Sequence, residues 1–262
     1  MAGEDDLLAL ATRAARRGGE EIRRRLGGAV ELGRKSSPTD PVTEADRASE
    51  AAVVALIGAA RPGDGILSEE GADRVPETGL RWVVDPLDGT VNFLYDIRHY
   101  AVSVACERWR DGRWQPVVGV VRDEARDETF TAVRGRGARL DGVALAVNEP
   151  VALDAALVAT EFSYRARSRR RQSRAVARVL ARARDIRSTG SSALDLCWTA
   201  AGRFDAFYED ELSRWDWAAG ALVVEEAGGA SSPMGSGILA AGPSLHRALR
   251  RLVDPDRPAG RG

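Results

Sequence analysis

Arg81-Trp82-Val83-Val84-Asp85-Pro86-Leu87-Asp88-Gly89-Thr90 is the stretch that decides how this chain folds. Its apolar run reads as a buried strand that ends in a carboxylate. Sheet proteins commonly gather ligands at the carboxyl ends of their strands. Pro86 stiffens the exit. Asp88 returns three residues after Asp85, near enough for both carboxylates to touch a shared pair of cations. Without a cation they would repel. Gly89 lets the backbone come close to a ligand. If Thr90 opens a helix, the N–H groups there form an anion site. A lone Asp-Gly-Thr is most simply a turn with Asp88 as a helix cap. The whole hexamer behind an apolar strand is far more specific.

Outward from that strand, the pattern alternates between helix and sheet. Upstream, Leu7, Leu8, Ala11, Ala14, Ala15 and Ile22 sit at helical spacing, and Gly27-Gly28 ends that helix. Lys35 to Pro41 has the turn chemistry of a loop. A second helix begins near Thr43 and runs to Gly58. Gly65 to Ser68 is a short strand. Downstream, Tyr100–Arg108, Trp114–Val121, Thr129–Val133 and Val143–Val147 form a meander with Asp-Gly turns at 111–112 and 141–142, hence an antiparallel sheet. Past Pro150 the order is mixed. Strands are expected at Leu157–Thr160, Ile186, Phe204–Tyr208 and Ile238–Ala240. Helices are expected at Ser168–Arg184, Ser192–Ala201, Trp215–Ala227 and after Pro243. The tail from Arg257 should fray. We divide the chain into halves, 1–150 and 151–262, that form one compact unit.

Three further segments carry polar groups that could join the hexamer. Ser68-Glu69-Glu70-Gly71 ends a short apolar strand and could add a carboxylate to a cation site, although a Glu-Glu pair alone is usually a solvated loop. Thr43-Glu44-Ala45-Asp46 has the spacing of a capping box, which leaves room for a role in orienting water. Gly190-Ser191-Ser192 precedes a helix and can offer N–H groups to substrate oxygens. Asp216, at the start of another helix, reads on spacing alone as a cap.

Composition narrows the function classes. The net charge is −1 over 262 residues, so no global feature points to nucleic acid or an anionic membrane. The arginine cluster from Arg165 to Arg174 is the one local hint of nucleic acid, and a solvated helix start accounts for it. No apolar run reaches spanning length, and the acidic start, Met1 to Leu10, lacks a secretory pattern. A cytoplasmic protein is expected. Cys106 and Cys197 read as reduced, buried thiols. Only His99 and His246 are available for a histidine-based triad or a zinc site. Any metal should be a hard, oxygen-seeking cation. Lys35 is the only lysine among many arginines. A compact ammonium could be required there, or one lysine could have survived by chance.

Taken together, these segments resemble the inositol monophosphatase family of lithium-sensitive sugar phosphatases, and its bacterial inositol-1-monophosphatase branch in particular. The resemblance runs from about Asp5 to about Leu252. It rests on Lys35 to Asp46, Ser68 to Gly71, Trp82 to Phe93, Gly190 to Cys197, Trp215 to Gly220 and Glu226 to Gly229. It implies an α+β fold, a layered αβαβα sandwich, and commonly a homodimer. It implies that Glu69, Asp85 and the Leu87 carbonyl hold one magnesium, that Asp85, Asp88 and Asp216 hold a second, and that a weaker third ion sits by Glu69. Gly89 and Thr90 would bind phosphate through N–H groups, Asp46 and Thr90 would orient the attacking water, and Lys35 would be the family's loop lysine. Gly190, Ser191, Ser192, Glu209 and Asp216 would face the alcohol. The implied reaction is hydrolysis of inositol monophosphate by water, without a phosphoenzyme. Rival substrates are histidinol phosphate, fructose 1,6-bisphosphate and a 3′-phosphoadenosine nucleotide. From another class, the rival is a catalytically silent module that binds RNA or protein. The chain departs from the family at Ser68, at Ser192 and at Arg98, and each departure could alter the rim that selects the alcohol.

Overall fold

The computed structural model describes residues 3–28, 31–34 and 41–254. The chain begins with α1 (Glu4–Arg23), β1 (Glu31–Arg34), β2 (Pro41–Thr43), α2 (Glu44–Ala60), β3 (Gly65–Ser68), β4 (Leu80–Asp88) and the short α3 (Thr90–Leu94). A meander follows: β5 (Ala101–Arg110), β6 (Arg113–Asp123), β7 (Glu128–Val133), β8 (Ala138–Leu140) and β9 (Val143–Ala144). Then come β10 (Leu157–Thr160), α4 (Ala166–Leu180), β11 (Asp185–Arg187), α5 (Ser192–Ala200) and β12 (Ala206–Glu209). The last elements are α6 (Arg214–Glu226), β13 (Ala230–Met234), β14 (Gly237–Ala241) and α7 (Pro243–Val253).

Five layers result, αβαβα, and the period-2 alternation of the strands explains why. In β4, Trp82 and Val84 point to one face and Val83 to the other. The first face packs on Leu7, Leu10, Ala14 and Ile22 of α1 and on Val53 and Ile57 of α2. The second packs on Leu194, Leu196, Leu222 and Val223 of α5 and α6. Those two helices are apolar on both sides because a second sheet covers their far side, through Phe207, Ile238 and Ala240. The alternate residues, Ala206, Tyr208, Leu239 and Ala241, meet α4 and α7 through Ala175, Val179, Leu245 and Leu249.

The seven-stranded sheet runs β3-β4-β5-β6-β7-β8-β9, and the five-stranded sheet runs β11-β10-β12-β14-β13. The expected antiparallel meander is present from β4 onward. The correction is at its edge, where β3 and β4 are parallel and pair Ser68 with Val84. That pairing matters, because both strands now end on the same side and Glu69 arrives beside Asp85. Strand β4 also continues through Pro86 to Asp88, with an irregularity before Asp88 pairs with Ala101. Helix α4 stops at Leu180 rather than Arg184, because β11 must return to pair in parallel with β10. Strand β13, Ala-Ser-Ser-Pro-Met, was not expected; its weak strand composition is tolerated at a sheet edge, where Pro233 sits. Cys106 and Cys197 are buried free thiols. The expected fraying tail and Lys35 lie outside the described residues.

Candidate active site

Strand β4 and the turn after it form one wall of a cleft of about 600 Å³. The wall is braced from behind by α2, whose Ser49 Oγ donates to the Pro86 carbonyl at 2.7 Å. Asp85 is buried, and its Oδ1 accepts the Leu87 N–H at 3.0 Å. Asp88 Oδ2 accepts from Ser191 Oγ at 2.6 Å and from the Ala193 N–H at 2.7 Å, both at the start of α5. Burial nonetheless pushes Asp88 up to about 6. Glu69 joins from the adjacent parallel strand, its N–H donating to the Val84 carbonyl.

Gly89 turns the chain at φ +92°, and a Cβ there would lie 2.9 Å from the His99 carbonyl and 3.0 Å from that of Gly190. Only glycine fits this crossing. Thr90 then opens α3. Its hydroxyl is within reach of Asp46 Oδ1 at 2.9 Å and the Leu87 carbonyl at 3.1 Å. Asp46 is itself locked. Its Oδ2 accepts the Thr43 N–H at 2.8 Å in a capping box that opens α2. The capping and water-orienting readings of Asp46 are therefore compatible, since its two oxygens serve different partners. Asn92 staples the walls together, donating to the His99 carbonyl and to the Thr189 carbonyl, each at 2.7 Å.

The facing wall comes from residues 161–216. Glu209, at the end of β12, is buried, and among the described residues its Oε2 has no hydrogen-bond partner. Burial and then the neighbouring Glu161 hold it well above the usual carboxylate range. Asp216 Oδ2 accepts the Ser213 N–H at 2.7 Å, as a helix cap should. Asp216, Gly190 and Ser192 line the cleft. Ser191 and Asp46 do not: Ser191 spends its hydroxyl on Asp88, and Asp46 sits behind Thr90.

Two residues on this wall escaped the sequence reading. Glu161 follows the apolar strand β10 just as Asp85 lies at the end of the apolar run in β4, so the same rule would have found it. Asp195 gave no local signal, being one polar residue inside α5. It is fully buried, accepts from Thr189 Oγ1, and is pushed up to about 7 by burial. His99 lies 3.4 Å from it, and burial and Arg126 hold His99 below its usual value.

Glu69, Asp85, Asp88, Asp216 and the Leu87 residue all line this one cleft, an oxygen-rich set suited to a hard divalent cation. As they stand, no three acidic, histidine or cysteine side chains among the described residues close to ion-binding distance. The donor set fits magnesium in kind, while its geometry is open.

A layered αβαβα sandwich with this cleft at its strand ends defines a phosphoric monoester hydrolase of the sugar-phosphatase type. A family model for the inositol monophosphatase family matches residues 4–253. The chain is 42% identical over 227 residues to an inositol-1-monophosphatase of Mycobacterium bovis, covering 80% of this chain and 77% of that protein. It is 40% identical over 235 residues to the Nus factor SuhB of Salmonella typhimurium, covering 88% and 86%. The crystal structure of the extragenic suppressor protein suhB from Bartonella henselae superposes with a TM-score of 0.88 at 33% identity, covering 96% of this chain and all of that one. The chain belongs to the inositol monophosphatase family.

Proposed function

We propose that this protein hydrolyses the phosphate monoester of a neutral polyol, an inositol monophosphate, with magnesium in the carboxylate set. The observation that carries this reading is the Asp46–Thr90 hydrogen bond beside the buried Asp85 and the half-buried Asp88. Asp46 Oδ1 accepts the Thr90 hydroxyl proton, which leaves lone pairs of the Thr90 oxygen for a water in the cleft. A water held there gives up its proton toward Thr90 and Asp46 as it attacks phosphorus and the ester P–O bond breaks, and a proton on the departing oxygen completes the neutral alcohol. Gly89 and Thr90 present backbone N–H groups to the phosphate oxygens. Glu69, Asp85, Leu87, Asp88 and Asp216 would hold magnesium, which when bound would supply charge neutralisation and make a water more acidic. Glu209 and Ser192 receive the alcohol, whose hydroxyls can donate to the Glu209 oxygen that has no partner among the described residues.

The test is a phosphate-release panel of inositol 1-phosphate, histidinol phosphate, fructose 1,6-bisphosphate and 3′-phosphoadenosine 5′-phosphate, with and without magnesium. Preference for the first ester and loss of turnover on chelation are expected. Best turnover with another ester would overturn the polyol assignment. The arginine-rich outer face of α4 supports a second reading. Arg167, Arg170 and Arg174 are exposed and lie on one stripe of the helix. Salt-sensitive RNA binding by a chain without phosphatase activity would favour a binding module instead.

A further inference from the structure

Glu161 takes no part in the reaction above, yet it is among the most firmly held side chains of the cleft. Its Oε1 accepts the N–H groups of both Thr189 and Gly190, each at 2.6 Å, and its Oε2 accepts Ser188 Oγ at 2.9 Å. Gly190 has φ +91°, in the left-handed region, which aims its N–H at the same point as that of Thr189. Successive amides that converge in this way form a cradle for an anionic oxygen. Gly190 also lines the cleft, so the cradle stands at its alcohol end. The sequence reading had the Gly190 N–H available to substrate, but here an internal carboxyl occupies it.

We propose that Glu161 is a specificity-determining residue: by filling the Thr189–Gly190 cradle it reserves the alcohol end of the cleft for phosphate esters that carry no second anionic group. The proposal rests on the phosphatase reading above and adds the class of ester. Three bonds hold the carboxyl, so it cannot leave the cradle without losing all of them. Its neighbours are carboxyl groups as well, and they offer a second phosphate no positive charge. Asp195 lies against Glu161, and Asp88 and Glu209 lie within electrostatic reach. His99 is in contact with Asp195 and Thr189, and Arg126, beside His99, donates from Nη1 to Asp123 at 2.9 Å. Arg165, at the rim, is 3.3 Å from Glu211. A second phosphate on the alcohol would thus find its amides taken and acids around it. A neutral polyol instead brings O–H donors, and the buried Glu209 oxygen has none among the described residues.

The test compares the full chain with Glu161→Gln and Glu161→Ala, with magnesium present, on inositol 1-phosphate and fructose 1,6-bisphosphate. Glutamine keeps an oxygen that can accept both amides, whereas alanine empties the cradle. Alanine should shift the kcat/KM ratio toward the bisphosphate by about tenfold, mainly through KM, and glutamine should stay within about twofold of wild type. An alanine ratio that matches wild type, or a glutamine shift as large as that of alanine, overturns the proposal. Hydrogen exchange of the 188–190 segment reads the same contact without any ester. Faster exchange in Glu161→Ala, at an otherwise unchanged exchange pattern, is expected, and unchanged exchange overturns the proposal. A wild type that releases phosphate from no ester sinks the phosphatase reading, and the exchange measurement still decides whether Glu161 holds the cradle.

Discussion

The wall of the cleft that comes from β4 and the wall that faces it across Gly190 carry similar chemistry and are assembled in different ways. The first has its carboxylates, its backbone turn and its hydroxyl within Asp85 to Thr90, six consecutive residues. The second draws Glu161 from the end of β10, Gly190 and Ser192 from the start of α5, Glu209 from the end of β12 and Asp216 from the first turn of α6. A contiguous motif keeps its internal geometry whatever packs around it. A wall made of four chain segments depends on every layer that sets those segments side by side. In the proposed reaction the attacking water is oriented from the contiguous wall, and the alcohol is received by Glu209 and Ser192 on the composite one. Substitutions on the two walls should therefore fail differently.

The largest effect is expected at Asp88, where the walls share one side chain. Asp88→Asn keeps an acceptor for Ser191 and Ala193 and removes a charge, so turnover should fall about 10³-fold or more while the protein stays folded. Wild-type turnover at saturating magnesium, with melting followed in parallel, would break the assignment of the β4 wall. Gly89→Ala comes next, because it forces a Cβ into the two carbonyls at the crossing of the walls. A cost of about 1–3 kcal/mol in stability is expected from the strained backbone. Turnover should fall by roughly 10²-fold from the displaced geometry. A variant that melts and works like wild type would mean the walls do not meet there.

Thr90→Val should cost less. It removes the proton held by Asp46 but keeps the shape, and a loss of about 10²-fold in kcat with little change in KM is expected. Thr90→Ser should restore most of the rate, and failure to do so would assign Thr90 to packing. The smallest effect is a slope. Asp195 is pushed from its ordinary 3.8 to about 7, mainly by burial. Below pH 3.8 both folded and unfolded chains hold that proton. From there to pH 7 the unfolded chain releases it first, so stability falls as pH rises, and it levels off above pH 7. Metal-free wild type should lose thermal stability across that window relative to Asp195→Asn. Parallel curves would show that Asp195 stays ionised in the fold.

How much of this was legible in the sequence follows the same division. The strand before Asp85, the opening of α3 at Thr90 and the capping box of Thr43 and Asp46 are local features, and each is present in the structure. The parallel pairing of β3 and β4 was not legible, because hairpin spacing reports only on neighbours joined by short turns. That pairing is nonetheless what sets Glu69 beside Asp85. Ser191 was expected to face the alcohol, but its hydroxyl turns inward to Asp88. No property of Gly190-Ser191-Ser192 distinguishes the two directions until β4 is in place.

By itself, the sequence determined the chemistry of Asp85 to Thr90, since a strand, a proline, a glycine and a helix start constrain one another within a few bonds. The layering came only through the family resemblance, since strands covered on both faces, such as β12 and β14, are buried at every position and show no alternation. Only the tertiary structure decided that Glu161 would fill the Thr189–Gly190 cradle and that Asp195 would be buried beside it. Those contacts join residues about thirty positions apart across two strands and a helix, and the free energy that holds them comes from burial and shared hydrogen bonds, which exist only once the layers have closed.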